Sequence, residues 1–311
     1  PLFTSDKLNH KLPFNLYLKA ESLQKIGAFK FRGACNAVSL SSKQNVIAYS
    51  SGNHAQAVAC AAKIYKLNAT IIMPSDAPKI KIEGTKFYDP EIVFYDRYKE
   101  SREKIGKRIS NERKLNLIKP YDDYNVIAGQ GTAGLEIVRQ MKDLNLNIDS
   151  YICCCGGGGL MAGTALAISH HDKNCNFFSA EPEFFDDTAI SLKEGKIVKN
   201  KLEAKSICDA IVTPCPGKKT FPILKKLNTI GLVASDNEVL QAIHIAWKYF
   251  KIVLEPGGAV ALATALNKKY FKNFSSHYGK NNIVVMASGG NCDPNIFIKS
   301  LQTDINFIKN L

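Results

Sequence analysis

Tyr151 to Leu160 reads YICCCGGGGL. Tyr151–Cys155 is an apolar run of strand length. Four consecutive glycines end it, and Leu160–Ser169 continues with helical spacing. A strand that turns tightly into a helix is the repeating unit of a parallel α/β layer. The same form recurs at Asn45–Tyr49, which leads through Ser50-Ser51-Gly52-Asn53-His54 into a helix over Ala55–Tyr65. It recurs again where Asn282–Ser288 meets Gly289-Gly290-Asn291. Further strands are expected at Ala69–Met73, Glu91–Phe94, Asn116–Ile118 and Phe177–Glu181. Helices are expected at Lys79–Phe87, Tyr98–Glu112, Gly131–Met141, Asp236–Phe250 and Gly258–Lys268. The alternation predicts an α/β protein with two lobes, built on twisted, mostly parallel sheets flanked by helices. Residues 45–123 form a complete unit and are expected to be a small domain, with 1–44 and 124–311 making the large one.

The 311 residues are 45% hydrophobic and 22% charged, which excludes a disordered chain. No uninterrupted apolar run of membrane-spanning length occurs, so a soluble protein is expected. Net charge is +13, yet 35 of the 41 basic residues are Lys and six are Arg. The lysines are scattered, with mild clusters at Lys79–Lys86 and Lys199–Lys205. Arg is the bidentate reader of phosphates and bases, and no nucleic-acid motif is present, so a solvated surface is the reading. Nine cysteines occur without any CxxC. Reduced, buried thiols in a cytoplasmic protein are expected. The chain opens at Pro1 without Met, so a processed or incomplete N-terminus is expected, and no signal peptide is visible.

In parallel sheets ligands bind at the carboxyl ends of strands, where helix N-termini offer N–H groups to an anion. Three such turns together point to a phosphate or carboxylate site. One alternative is a dinucleotide site: Gly157-Gly158-Gly159-Leu160-Met161-Ala162 fits G-x-G-x-x-A, and Glu181 stands where a ribose-binding acid belongs. That would make the chain an NAD-dependent dehydrogenase, but it leaves the other two turns unexplained. Upstream, Lys30 sits between Phe29 and Phe31 in GAFKFRGA (27–34). A lysine desolvated among aromatics becomes a nucleophilic amine; a surface lysine lying across them is the plainer alternative.

The sequence resembles the fold-type II pyridoxal-phosphate enzymes, a tryptophan synthase beta-like fold, in the threonine/serine dehydratase and serine racemase branch. The motifs, in family order, are GAFKFRGA (27–34), SSGNHAQ (50–56), VIAGQGTAGLE (126–136), CGGGGL (155–160), AEPEFFDD (180–187), LEPGGAVA (254–261) and SGGN (288–291). Ala20-Glu21-Ser22 departs from the usual Glu-Asn, and Ala57 stands where Gly is common. About 17 residues follow Pro294, so no regulatory extension is expected there.

The resemblance implies pyridoxal 5'-phosphate held between the lobes, with the small domain closing over the substrate. Lys30 would carry the cofactor as a Schiff base and move the α-proton. Asn53 would reach the phenolic oxygen. Gly156, Gly157, Gly158, Gly159 and Leu160 would cup the phosphate. Ser288 would face the pyridine nitrogen. A hydroxyl leaves that nitrogen unprotonated, which weakens the ring as an electron sink and suits β-elimination. Ser50, Ser51, Gly52 and His54 lie where the family loop grips the substrate carboxylate. Ser51 is also the acid–base position of serine racemases. Glu181, Asp187 and the carbonyl of Phe185 match a divalent site suited to Mg²⁺ or Ca²⁺; an acidic surface turn is the alternative. His170-His171 reads as a solvated helix end, and Cys292 receives no role. The activity implied is an ammonia-lyase converting L-threonine or L-serine to a 2-oxo acid, in a homodimer with no nucleic-acid or membrane partner. A serine racemase would share every motif. A threo-3-hydroxyaspartate ammonia-lyase would need a cation for the second carboxylate, with Arg32 or a nearby lysine as the candidate.

Overall fold

Ten strands form in chain order: β1 (Leu2–Thr4), β2 (Asn15–Ala20), β3 (Val46–Tyr49), β4 (Ala69–Pro74), β5 (Glu91–Tyr95), β6 (Asn116–Leu117), β7 (Ser150–Cys154), β8 (Asn176–Pro182), β9 (Ile230–Ala234) and β10 (Asn282–Ala287). The computed structural model describes residues 1–41, 45–50, 52–77, 79–200, 205–274 and 279–307. Six strands make one sheet in the order β1-β2-β10-β7-β8-β9, parallel except for the β1–β2 pair. Four make a second, wholly parallel sheet in the order β5-β4-β3-β6. β4 and β7 are buried at every position. Helices cover both faces of such sheets, which is why their strands read as unbroken apolar runs.

The helix expected from Gly131 begins at Tyr124, because the Asp123 side chain accepts the N–H groups of Asn125 and Val126. The charged helix starts at Arg102 rather than Tyr98, capped by Ser101. The stretch expected as one helix over Asp236–Phe250 is α-helical to Ile245 and then makes one π-helical segment, Ala246–Phe250. β2 carries a fully buried lysine, Lys19, whose ammonium is held by Glu136 Oε2 at 2.6 Å and Gln140 Oε1 at 3.1 Å. The same Glu136 binds Arg32, which also forks onto Glu21. Arg32 is therefore committed to a structural network.

This topology gathers three turns. β7 and β10 pair in parallel, with Val285 opposite Ile152, so their carboxyl ends emerge side by side. A bridge between Ala28 and Gly289 ties Phe29-Lys30 to the end of β10, and Phe29 N–H donates to the Ser288 carbonyl at 3.0 Å. From the second sheet, β3 delivers the turn before helix Asn53–Ile64. The motif VIAGQGTAGLE is packing machinery: Gln130 is buried and accepts the Gly33 N–H at 3.2 Å. A Cβ on Gly33 would lie 2.8 Å from the Val126 carbonyl, so the absence of a side chain lets the two helices approach closely there. All nine cysteines are free thiols. Among the described residues no helix is long and apolar enough to cross a membrane.

Candidate active site

Lys30, Ser50, Gly52, Asn53, His54, Gly156, Gly157, Gly158, Gly159, Leu160 and Ser288 line one cleft. Ser51 lies outside the described residues. Glu181, Phe185 and Asp187 stand apart from this cleft, at the end of β8 and the start of helix Asp187–Glu194.

Lys30 opens helix Lys30–Ser39. The residue as a whole is only partly buried because it borders the cleft, but its amine is enclosed. Nζ donates to the Pro120 carbonyl at 2.7 Å and lies 5.1 Å from the centre of the Phe29 ring. Burial lowers its pKa to about 8, against the partial opposition of Cys154 and Glu255. The amine is thus a usable nucleophile and base near neutrality.

Opposite, helix Gly159–His171 starts after Gly158, whose φ of +86° is a left-handed conformation that favours glycine. The first helical N–H groups, of Gly159, Leu160 and Met161, have no acceptor within the helix and face the turn. They form an anion seat with the helix dipole behind it. A second helix N-terminus supplies Asn53 and His54. The His54 ring is buried and bonded through Nε2 to the Ile118 carbonyl at 2.9 Å. Burial and then the Lys30 charge push its pKa down to about 3, so it stays neutral and its side chain offers no charge to an anion. Ser50 Oγ accepts the Gly52 N–H at 3.2 Å. Asn53 Nδ2 donates to Glu255 Oε1 at 2.6 Å, and its Oδ1 accepts from Asn291 at 2.7 Å. Ser288 closes the floor, and its Oγ accepts from the Cys154 thiol at 3.0 Å.

Sequence reasoning missed several residues of the cleft: Lys81, Arg102, Tyr121, Cys154, Asp209 and Glu255. Burial pushes the Glu255 carboxyl up to about 7. Lys81 pairs with Asp209, while Arg102 binds Glu103 at 2.8 Å and lies 5.6 Å from the Tyr49 ring centre. Glu255 sits inside a matched motif; the others carried no local signal.

A buried amine, two helix N-termini and a neutral hydroxyl meet in one cleft. The family model for pyridoxal-phosphate dependent enzymes matches residues 1–289. The chain belongs to that family. A serine racemase of Schizosaccharomyces pombe is 41% identical over 298 residues, 94% of this chain and 88% of the relative. An L-threo-3-hydroxyaspartate ammonia-lyase of Saccharomyces cerevisiae is also 41% identical, over 94% of this chain and 88% of the relative. The solved structure of a serine racemase from Dictyostelium discoideum superposes with a TM-score of 0.84 at 36% identity, covering 94% of this chain and 92% of the other. The architecture is therefore that of a fold-type II enzyme, and its cofactor is pyridoxal phosphate. The residues present fit that group, since the enclosed Lys30 amine faces a seat of free N–H groups. The dinucleotide alternative falls on Glu181: it is fully buried, and its carboxylate accepts the N–H groups of Thr188 at 2.9 Å and Ala189 at 2.7 Å. It cannot reach a ribose.

In the acidic turn Glu183 is exposed and Asp186 half-buried, but the two expected carboxylate ligands are withdrawn from solvent. Glu181 and Asp187 are both buried; burial and the Asp187 charge raise the pKa of Glu181 well above the carboxylate range, and burial pushes Asp187 up to about 7. Asp187 Oδ1 accepts from Asn200, while Oδ2 is buried without a partner among the described residues. An unpartnered buried carboxylate oxygen beside a second carboxyl fits a hard cation with oxygen ligands. Among the described residues no group of three His, Cys, Asp or Glu side chains is assembled, so backbone carbonyls or water would have to complete such a site.

Proposed function

We propose that the protein is an ammonia-lyase of small β-hydroxy amino acids, converting L-threonine or L-serine to the 2-oxo acid and ammonia. The observation that carries this reading is the pairing of an enclosed Lys30 amine with a neutral Ser288 hydroxyl in the same cleft. Pyridoxal phosphate supplies an electron sink at the substrate α-carbon. Lys30 would anchor it through Nζ, and its freed amine would hold and move the α-proton. Its pKa of about 8 keeps a useful fraction of the amine neutral at pH 7. The N–H groups at the start of helix Gly159–His171 hold the phosphate. Those of Asn53 and His54 hold the substrate carboxylate, with the neutral His54 ring fixing the turn. Asn53, held between Glu255 and Asn291, would orient the phenolic oxygen. The Ser288 hydroxyl would donate toward the ring nitrogen without charging it, which would favour loss of the β-hydroxyl over storage of negative charge.

A second reading has its own observation. Arg32, the cation expected for a second carboxylate, is tied to Glu21 and Glu136. Lys81 and Arg102 instead border the cleft, and each is paired with an exposed acid that a ligand can replace. This supports threo-3-hydroxyaspartate as a substrate, in keeping with the yeast relative. The racemase reading shares these residues, Ser51 included, and differs in its product.

One substrate panel separates the three. L-threonine, L-serine and L-threo-3-hydroxyaspartate are each scored for 2-oxo acid, ammonia and D-isomer. Equal release of oxo acid and ammonia supports a lyase. D-serine without matching pyruvate would overturn it in favour of a racemase. Arg102→Ala should cut turnover of hydroxyaspartate and spare serine if the second reading holds.

A further inference from the structure

Three thiols follow one another at the end of β7, and only one reaches the cleft. Alternation along a strand sends Cys153 and Cys155 to the other side. Cys153 bonds to the Cys154 carbonyl, and Cys155 contacts Thr188 at 3.5 Å. Cys154 borders the cleft, 3% exposed, and donates to Ser288 Oγ at 3.0 Å. Ser288 is 4% exposed, and among the described residues nothing accepts its own hydroxyl proton. A hydroxyl has one proton and two lone pairs. With the thiol proton on one lone pair, the hydroxyl proton is directed away from the sulfur, and the cleft lies there. Without that donor one lone pair of the hydroxyl loses its partner, and the proton is no longer held toward the cleft by the bond on its other side.

We infer that Cys154 is a positioning residue: its thiol sets the Ser288 hydroxyl as a donor into the cleft, toward the ring nitrogen of bound pyridoxal phosphate. The inference rests on the role proposed above for Ser288. The competing reading is that Cys154 is a small apolar filler beside the site.

A double-mutant cycle separates them. Cys154→Ala, Cys154→Ser, Ser288→Ala and the double Ala variant are stripped of cofactor and titrated with pyridoxal phosphate, recording affinity and the absorption maximum. Loss of one neutral hydrogen bond predicts that Cys154→Ala weakens cofactor binding about two- to tenfold and moves the band. Cys154→Ser, which keeps an O–H donor, should restore both. In the Ser288→Ala background, Cys154→Ala should have no further effect. An equal effect in both backgrounds, no effect of Cys154→Ala, or no rescue by Ser would overturn the inference. If Ser288→Ala itself changes neither readout, the role of Ser288 fails and the inference falls with it. If Ser288→Ala moves both and Cys154→Ala moves neither, only the Cys154 inference falls. Cys154→Val, similar in volume without a donor, replaces the Ala variant if that does not fold.

Discussion

Lys30 enters the cleft as a cation that its surroundings disfavour. Burial lowers its pKa from 10.5 to about 8, so at pH 7 its neutral fraction is about 300-fold larger than that of an ordinary lysine. The rate at which cofactor-free protein captures pyridoxal phosphate should therefore rise through a midpoint near pH 8 and level off above it. A rate still climbing beyond pH 10 would show an unperturbed amine. At Ser288, replacing the hydroxyl by a carboxylate would pair a charge with the ring nitrogen and hold it protonated. Ser288→Asp should bind cofactor yet lose most lyase turnover, with a new long-wavelength band on substrate addition. Ser288→Ala should be milder, since a neutral hydrogen bond contributes about 0.5–1.5 kcal/mol. A fully active Ser288→Asp enzyme would refute the electronic argument. These two residues were legible because each sits in a local motif. Arg102 and Lys81 were not, because the folding of the second sheet, rather than any spacing in the chain, brings them to the cleft.

The elements show why some segments announced themselves and others did not. β4 and β7 are covered on both faces, so their apolar runs stand out. β2 hides behind Lys19, whose charge is matched by Glu136 and whose ammonium also donates to Gln140, both on a helix distant in sequence. β9 begins at an exposed Ile230 and contains Gly231, so its pattern is weak. The four-glycine turn was plain in the sequence, but its φ of +86° at Gly158 belongs to the structure. A Cβ there would meet Thr220 Oγ1 at 2.8 Å. Left-handed strain alone is about 1–2 kcal/mol for a residue with a side chain. Gly158→Ala should lower the denaturant midpoint of the cofactor-free protein and weaken cofactor binding as well. A variant unchanged in both measurements would show that the turn is not constrained.

Across the whole molecule, the two sheets bring the N-termini of helices Asn53–Ile64 and Gly159–His171 to one cleft that Lys30 also lines. Away from the cleft, Glu181 and Asp187 Oδ2, which has no partner among the described residues, make a case for a stabilising cation. Binding to the native state alone adds about 2.7 kcal/mol at 100 times the dissociation constant. Chelation should lower the melting temperature, and Mg²⁺ or Ca²⁺ should restore it. An unchanged melting curve, with metal analysis showing none retained, would reject the site.

The central claim is that Lys30 carries the cofactor and the elimination chemistry. Borohydride reduction of the yellow holoenzyme, followed by peptide mapping, tests it most directly. The account predicts one labelled peptide containing Lys30, loss of turnover on reduction, and a Lys30→Ala protein that cannot be labelled there or turn over substrate. A label on a peptide that excludes Lys30 would contradict it.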